Sequence, residues 1–189
     1  MKHIAIAAAL AAVLGTAVAE PATYAVDPTH AAAIFEIGHF GTSTNRGRFP
    51  VKEGTVQFDR AGKAGKVDIT IDVQGVSTGV TGLDKHLQSK DFFSAAEFPT
   101  AKFVGDKFSF DGDKVSEVAG QLTMLGKTHP VTLKATNFNC YTSPMLKREV
   151  CGGDFVATVK RSLWGVNYGL NYGFSDDVRV LIQVEAVKQ

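Results

Sequence analysis

The chain has 189 residues, with 20 Lys and Arg against 19 Asp and Glu and a formal net charge of +1. That is the length of one ordinary domain, enough to bury a core or enclose a cavity. Near-neutral, scattered charge excludes the concentrated basic face that nucleic acid requires, and the pair Lys147-Arg148 is too short to supply one.

The first element is an uncharged run from Ile4 to Ala19, preceded by Lys2 and ending Thr16-Ala17-Val18-Ala19. It is shorter than the roughly 20 residues that cross a bilayer, and its small residues suit a signal peptidase. We therefore expect a signal peptide over residues 1–19 and a mature domain over residues 20–189. No Cys follows the cut to carry a lipid anchor, and no later segment is apolar for long enough to form a transmembrane helix. The mature protein is expected to be soluble and exported.

Beyond that run, Gly, Asp and Asn punctuate short segments of alternating polarity, the mark of an all-β chain. Ala33, Phe35, Ile37 and His39 fall on one face of a strand and Ile34, Glu36 and Gly38 on the other. Val56 and Phe58 mark a second strand, and the alternation of Val67, Ile69, Ile71 and Val73 with Asp68, Thr70 and Asp72 marks a third. Further strands are predicted at Ala101–Phe110, Val115–Met124, Val131–Phe138, Phe155–Leu163 and Val178–Val187. The interruption at Val80–Pro99 is predicted to be helical. Thr81 caps a short helix with Asp84 at its third position, and a second turn runs from Asp91 to Phe98 before Pro99 stops it. Cys140 and Cys151 flank a short loop and, in an oxidising compartment, are expected to form a disulfide.

Chemistry-bearing motifs are sparse. No Gly-x-Ser-x-Gly elbow is expected, and there is no His-Glu-x-x-His, P-loop or Gly-x-Gly-x-x-Gly opening a helix. Asp84, His86 and Ser89 are residue types of an acyl-transfer site, but Asp and His two apart on a helix do not face each other. They are better read as structural groups, with Asp84, Ser89 and Asp91 satisfying backbone donors at the helical lid and His86 hydrogen-bonding at the barrel rim. The mature histidines His30, His39, His86 and His129 are too dispersed for a metal site, so no metal is expected.

Several segments taken together resemble the YceI-like family of periplasmic lipid-binding proteins. They are Tyr24-x-x-Asp27-x-x-His30; Phe35-x-x-x-His39-x-Gly41; Gly47-x-Phe49; and Thr78-Gly79 with Asp84-x-His86-Leu87-x-Ser89-x-Asp91-Phe92-Phe93. Phe98-Pro99-x-x-x-Phe103, Gly120-x-Leu122-Thr123-x-x-Gly126-x-Thr128-x-Pro130-Val131 and Arg161-Ser162-x-x-Gly165 complete the set. The resemblance implies a lipocalin-like, eight-stranded antiparallel β-barrel with a short helical segment between strands 3 and 4. It also implies a periplasmic location and a binding rather than enzymatic role, with a long apolar isoprenoid- or quinone-like lipid held non-covalently in the bore and no other cofactor. An enzyme acting on such a lipid and a stress-related protein with a filled core are the alternatives. A homodimer is an open arrangement, since relatives look dimeric. Ala31-Ala32-Ala33 and Leu163-Trp164 depart from the family pattern and bear on which lipid fits.

On this reading Phe35, Ile37, His39, Ile69, Ile71, Phe103, Leu122, Leu133, Val159 and Val180 line the bore, and His86, Arg161 and Trp164 stand near a head group at the rim. Arg161 continues the face of Phe155, Ala157 and Val159 and, if buried, needs a partner, for which Asp84 and Asp91 are the candidates. His39 is read as either a hydrogen-bonded structural histidine or a head-group contact. Arg46 and Arg48 are read as solvated rim charges.

Overall fold

The computed structural model describes residues 21–189, so the expected signal peptide lies outside the described residues. The elements in chain order are β1 (Ala22–Val26), β2 (Ala32–His39), β3 (Ser43–Asp59), β4 (Ala64–Asp72), α1 (Thr81–Gln88), β5 (Thr100–Asp111), β6 (Lys114–Met124), β7 (Lys127–Thr142), β8 (Glu149–Lys160) and β9 (Asp177–Lys188). Every strand pairing is antiparallel, and the ladder β3-β2-β9-β8-β7-β6-β5-β4 closes on itself where β4 meets β3. Closure leaves no free edge for another chain to extend.

Nine strands make eight staves because β1 and β2 share one. β1 pairs with the far end of β3, Ala22 opposite Phe58, and with the end of β9, while β2 continues along the same two neighbours. A single turn of 3-10 helix, Pro28–His30, interrupts the stave. Asp27 caps it, accepting from the Thr29 N–H at 2.9 Å and the Thr29 hydroxyl at 2.7 Å, with His30 Nδ1 2.8 Å away. No helix of the described residues is long and apolar enough to cross a membrane.

The register fixes which loops share an end. The β2–β3 turn, the long β4–β5 connection bearing α1, the β6–β7 turn and the β8–β9 connection all lie at one end, here called the lid end. The β3–β4 and β5–β6 turns and the β7–β8 loop lie at the other. At that far end Cys140 and Cys151 are directly opposite one another on β7 and β8 and are joined in a disulfide.

Three predicted elements differ. The second strand is 17 residues long, Ser43–Asp59, because it pairs with β2 over its first half and with β1 over its second, and a β-bulge between Val51 and Glu53 shifts its register against β4. β8 stops at Lys160, and Arg161–Trp164 forms a 3-10 turn closed by Gly165 in the left-handed conformation at φ 90°. The predicted second helical turn at Asp91–Phe98 is a run of tight turns instead, with Ser94 at φ 42° taking the chain out of helical geometry.

Candidate functional site: a lidded apolar cavity

Inward-facing side chains do two different things along the barrel. In the far half they fill it. Phe58 of β3 packs on Phe110 of β5 at 6.1 Å and on Phe138 of β7 at 5.8 Å. None of these strands neighbours another, so the rings meet across the bore and plug it. Tyr24 joins them at 6.4 Å from Phe58, its hydroxyl donating to Glu149 at 2.6 Å. Burial, reinforced by that carboxylate, pushes the Tyr24 phenol up to about 12.

In the lid half the same inward positions enclose a cavity of about 210 Å³. Period-two sets from every stave wall it: Ala33, Phe35 and Ile37 of β2; Phe49 and Val51 of β3; Ile69 and Ile71 of β4; Ala101 and Phe103 of β5; Leu122 and Met124 of β6. Val131 and Leu133 of β7, Ala157 and Val159 of β8 and Val178, Val180 and Ile182 of β9 complete the circle. Two glycines make room for rings in this wall. A Cβ at Gly47 would stand 2.5 Å from Phe35, and one at Gly120 would stand 2.7 Å from Phe103.

The β4–β5 connection roofs the cavity with Leu87, Phe92 and Phe93. Asp84 holds α1 to the segment before it, accepting from both the Thr78 N–H and the Thr78 hydroxyl at 2.6 Å. Thr81 therefore does not cap the helix; Val80 occupies the cap position without a side-chain bond. Gln88 Nε2 donates to the Gln74 carbonyl at 2.7 Å, and Phe93 lies edge-on to Phe49 at 5.2 Å. The roof meets the β8–β9 connection through a three-ring contact in which His86, Phe92 and Tyr168 sit 4.8–5.1 Å apart.

Of the ten residues expected to line the bore, Phe35, Ile37, Ile69, Ile71, Phe103, Leu122, Leu133, Val159 and Val180 are in the cavity wall. His39 is not. At the last position of β2 it is already beyond the rim, edge-on to Phe40 at 4.8 Å and Phe174 at 5.1 Å. Of the rim residues, His86 lies in the roof but outside the cavity wall, with Nε2 3.4 Å from Asp91. Trp164 is 1% exposed and also stays out of the wall, because the 3-10 turn breaks the alternation of β8. Its Nε1 donates to the Leu122 carbonyl at 3.1 Å, and its ring packs on His129.

Arg161 is in the wall and is the one polar side chain among the residues that form it. It is 6% exposed. Neither Asp84 nor Asp91 is its partner. Nε donates to the Ser175 carbonyl at 2.9 Å, and Nη1 to the carbonyls of Val166 at 2.9 Å and Tyr168 at 2.7 Å. The chain wraps the guanidinium with its own backbone because the β8–β9 connection curls over it. Burial pulls Arg161 below its ordinary pKa, and nearby Asp176 acts in the opposite sense. Asp176 is itself occupied, accepting from the Ser162 N–H at 2.9 Å and hydroxyl at 2.8 Å, which hold it below the usual carboxylate range. Arg46 is likewise not a free rim charge. It donates to Glu36 at 2.8 Å, and Arg179 binds the same carboxylate from β9 at 2.7 Å.

Gly75-Val76-Ser77-Thr78-Gly79 has the Gly-x-Ser-x-Gly spacing, contrary to the expectation that no such motif is present. It is not a nucleophile elbow, which needs its Ser on a sharp strand-to-helix turn. Ser77 lies in an extended bridge with Arg48, its N–H and carbonyl both bonded to that residue at 3.0 and 2.9 Å. Among the described residues no hydrogen bond joins its hydroxyl to a histidine. Nor do the described residues contain a group of three His, Cys, Asp or Glu placed to hold a metal ion.

Residues 24–186 match the YceI-like domain. Protein YceI of Escherichia coli O6:H1 is 37% identical over 179 residues, which is 93% of this chain and 91% of that protein. The crystal structure of Burkholderia cenocepacia BcnA matches with a TM-score of 0.69 at 25% identity, over 85% of this chain and 98% of that one. A polyisoprenoid binding domain from Saccharophagus degradans, implicated in plant cell wall breakdown, matches with a TM-score of 0.61 over 89% of this chain and 99% of that one. At 12% identity that last likeness is one of fold. With the domain match running through nearly all the described residues and a relative 37% identical over 91% of its length, the chain belongs to the family of YceI-like domains.

Proposed function

We propose that this protein is a periplasmic binding protein that holds a long apolar, isoprenoid- or quinone-like lipid non-covalently in the lid half of its barrel, in the manner of a lipocalin. The observation that carries this reading is the cavity itself. It is walled by aliphatic and aromatic side chains from every stave, floored by packed phenylalanines and roofed by a separate segment. Burying a chain there is favourable by about 0.8 kcal/mol per CH₂-sized group before ordering costs. The Saccharophagus degradans domain, described as polyisoprenoid binding, shares the fold and supports the choice of lipid class. The expected signal peptide over residues 1–19 and the Cys140–Cys151 disulfide fit export to an oxidising compartment.

A cavity of about 210 Å³ is smaller than the roughly 300–1,000 Å³ usual for drug-sized ligands. The ligand is therefore slender, and a long one needs more room than the cavity provides with the roof in this position. Organic extraction of the protein purified from its native host, followed by mass spectrometry, tests the reading. About one isoprenoid-type molecule per chain is the expected result. A chain that carries no lipid and takes up none of a supplied prenol series would be a filled-core protein. Chemical conversion of the recovered lipid on incubation would make it an enzyme.

A further inference from the structure

The β7–β8 loop at the far end inverts the usual order of burial. Among residues 143–148 the buried side chain is a serine and the most exposed is a methionine: Ser143 is 7% exposed and Met145 90%. Leu146 beside it is also exposed, as is Tyr141 at the foot of the loop. Backbone bonds fix this arrangement. The Ser143 N–H donates to the Arg148 carbonyl and the Lys147 N–H to the Ser143 carbonyl, both at 2.9 Å, and the Leu146 N–H donates to the Ser143 hydroxyl at 3.2 Å. Lys147 closes the turn in the left-handed conformation at φ 55°, and the Cys140–Cys151 disulfide ties the two strands beneath. Two apolar side chains therefore stand in water on a loop whose ordering cost is already met by the fold. Cations flank them. Lys147 and Arg148 follow Leu146 directly, Arg148 donates to the Lys188 carbonyl at 3.2 Å, and Arg60 and Lys188 approach Glu149 at 3.5 and 3.8 Å. Against these four charges stand Glu149, which also accepts from Tyr24, and Glu185, which accepts from Tyr141 at 3.1 Å. Asp27, on the same side, is paired with His30.

We propose that the β7–β8 loop docks the protein on an anionic phospholipid surface, with Met145 and Leu146 entering the bilayer interface and Lys147, Arg148, Arg60 and Lys188 meeting the headgroup phosphates. An apolar point backed by excess positive charge suits a bilayer, where the acyl boundary takes the apolar side chains and the phosphates take the cations. It suits a second copy of the chain poorly, because a two-fold contact through this loop sets like charges face to face. It also suits a stable protein partner poorly, since such an interface buries about 800 Å² on each side, far more than a loop tip offers. The position has a consequence for the cavity. The loop is at the end closed by the phenylalanine plug, so a docked molecule keeps its lid end away from the bilayer and its roof free to move. The docking does not depend on what the cavity holds.

The test is co-sedimentation of the exported, processed protein with vesicles, since an attached leader would bind lipid by itself. One set of vesicles is equal parts phosphatidylglycerol and phosphatidylethanolamine, and the other is phosphatidylcholine alone. The wild type is expected to bind the anionic vesicles about 10-fold more tightly than the neutral ones, and less tightly as salt is raised. Met145→Ser combined with Leu146→Ser should lower binding to the anionic vesicles about 10-fold. Lys147→Gln combined with Arg148→Gln should remove the preference between the two vesicles. All four positions are exposed, so both variants should melt as the wild type does. Tyr172→Ser, which alters an exposed ring at the lid end, should bind as the wild type. A wild type that binds neither vesicle, or both equally, would overturn the proposal. Loss of binding in Tyr172→Ser with retention in the Met145 and Leu146 variant would overturn it as well, by moving the docking face to the lid end. Sedimentation velocity without vesicles addresses the second copy. A wild-type dimer that becomes monomeric in the Met145 and Leu146 variant would assign the tip to self-association instead.

Discussion

Asp27 shows how much one side chain contributes to a barrel stave. β1 and β2 can share a stave only if the chain between them turns without leaving the sheet, and Asp27 fixes that turn by accepting from Thr29 and pairing with His30. The Thr29 bonds first, then His30, hold the Asp27 carboxyl down at about 2 against an ordinary 3.8. A lowered folded-state value gives stability that is present above 3.8 and lost as pH falls towards 2. His30 is raised above its ordinary 6.5 by the same Asp27, so its share is complete below 6.5 and lost as pH rises through the folded-state value. The cluster is at full strength between the two. Urea denaturation of wild type and Asp27→Asn from pH 5 to pH 2 should show a gap of about 1 kcal/mol, after discounting for solvent screening, that closes towards pH 2. A gap independent of pH would mean that the carboxylate charge is not what holds the turn. The neighbouring residue scale also marks the reach of alternation. Phe35 and Ile37 face the cavity as their spacing in the sequence indicates, but His39, on the same face, has passed the rim. Parity tells which side a residue faces and not how far along the strand the cavity extends.

Among the elements, the roof is the least regular and the most dependent on side-chain bonds. α1 has eight residues and no side-chain cap of its own, too short to be stable as an isolated helix. Its attachment comes from Asp84 to Thr78, from Gln88 to Gln74 and from the packing of Leu87 and Phe93. Asp84→Ala removes the acceptor for two donors at once and should cost about 1–2 kcal/mol locally. Hydrogen exchange should accelerate across residues 78–98 while the β7, β8 and β9 amides keep wild-type protection. Uniform acceleration through the barrel would show that the roof does not open as a separate unit. This element was only partly legible in the sequence. Val80–Pro99 stood out because period-two alternation stops there, and Pro99 marked its end. The roles of Leu87, Phe92 and Phe93 left no periodic signal, since an eight-residue helix and the tight turns after it present residues in an order set by tertiary packing. The β8–β9 connection was hidden for a related reason. Arg161 continues the alternation of Val159 and was read as strand, although it opens a single 3-10 turn that Gly165, at φ 90°, closes. The carbonyls that bind Arg161 belong to a loop, and no residue-type pattern announces a backbone acceptor.

For the whole molecule, the notable feature is that one closed sheet carries a filled half and a hollow half. The cavity wall was the most legible part of the site, because antiparallel strands buried on one face must alternate, and Ile69, Ile71, Leu122 and Leu133 do so. Where the filling stops was not legible. It depends on rings meeting across the bore between strands distant in sequence, as Phe58, Phe110 and Phe138 do. If the hollow half is the lipid site, filling it should abolish binding without harming the fold. The direct measurement is native mass spectrometry of Ala157→Phe and Ala101→Phe, both of which project into the cavity, beside Thr158→Phe, an exposed position on the same strand as Ala157. Over-packing costs about 1–3 kcal/mol, so each variant is first checked by thermal melting. The expected result is that wild type and Thr158→Phe carry about one lipid per chain and that the folded cavity variants carry none. Cavity variants that melt cooperatively and still carry a full complement of lipid would contradict the assignment.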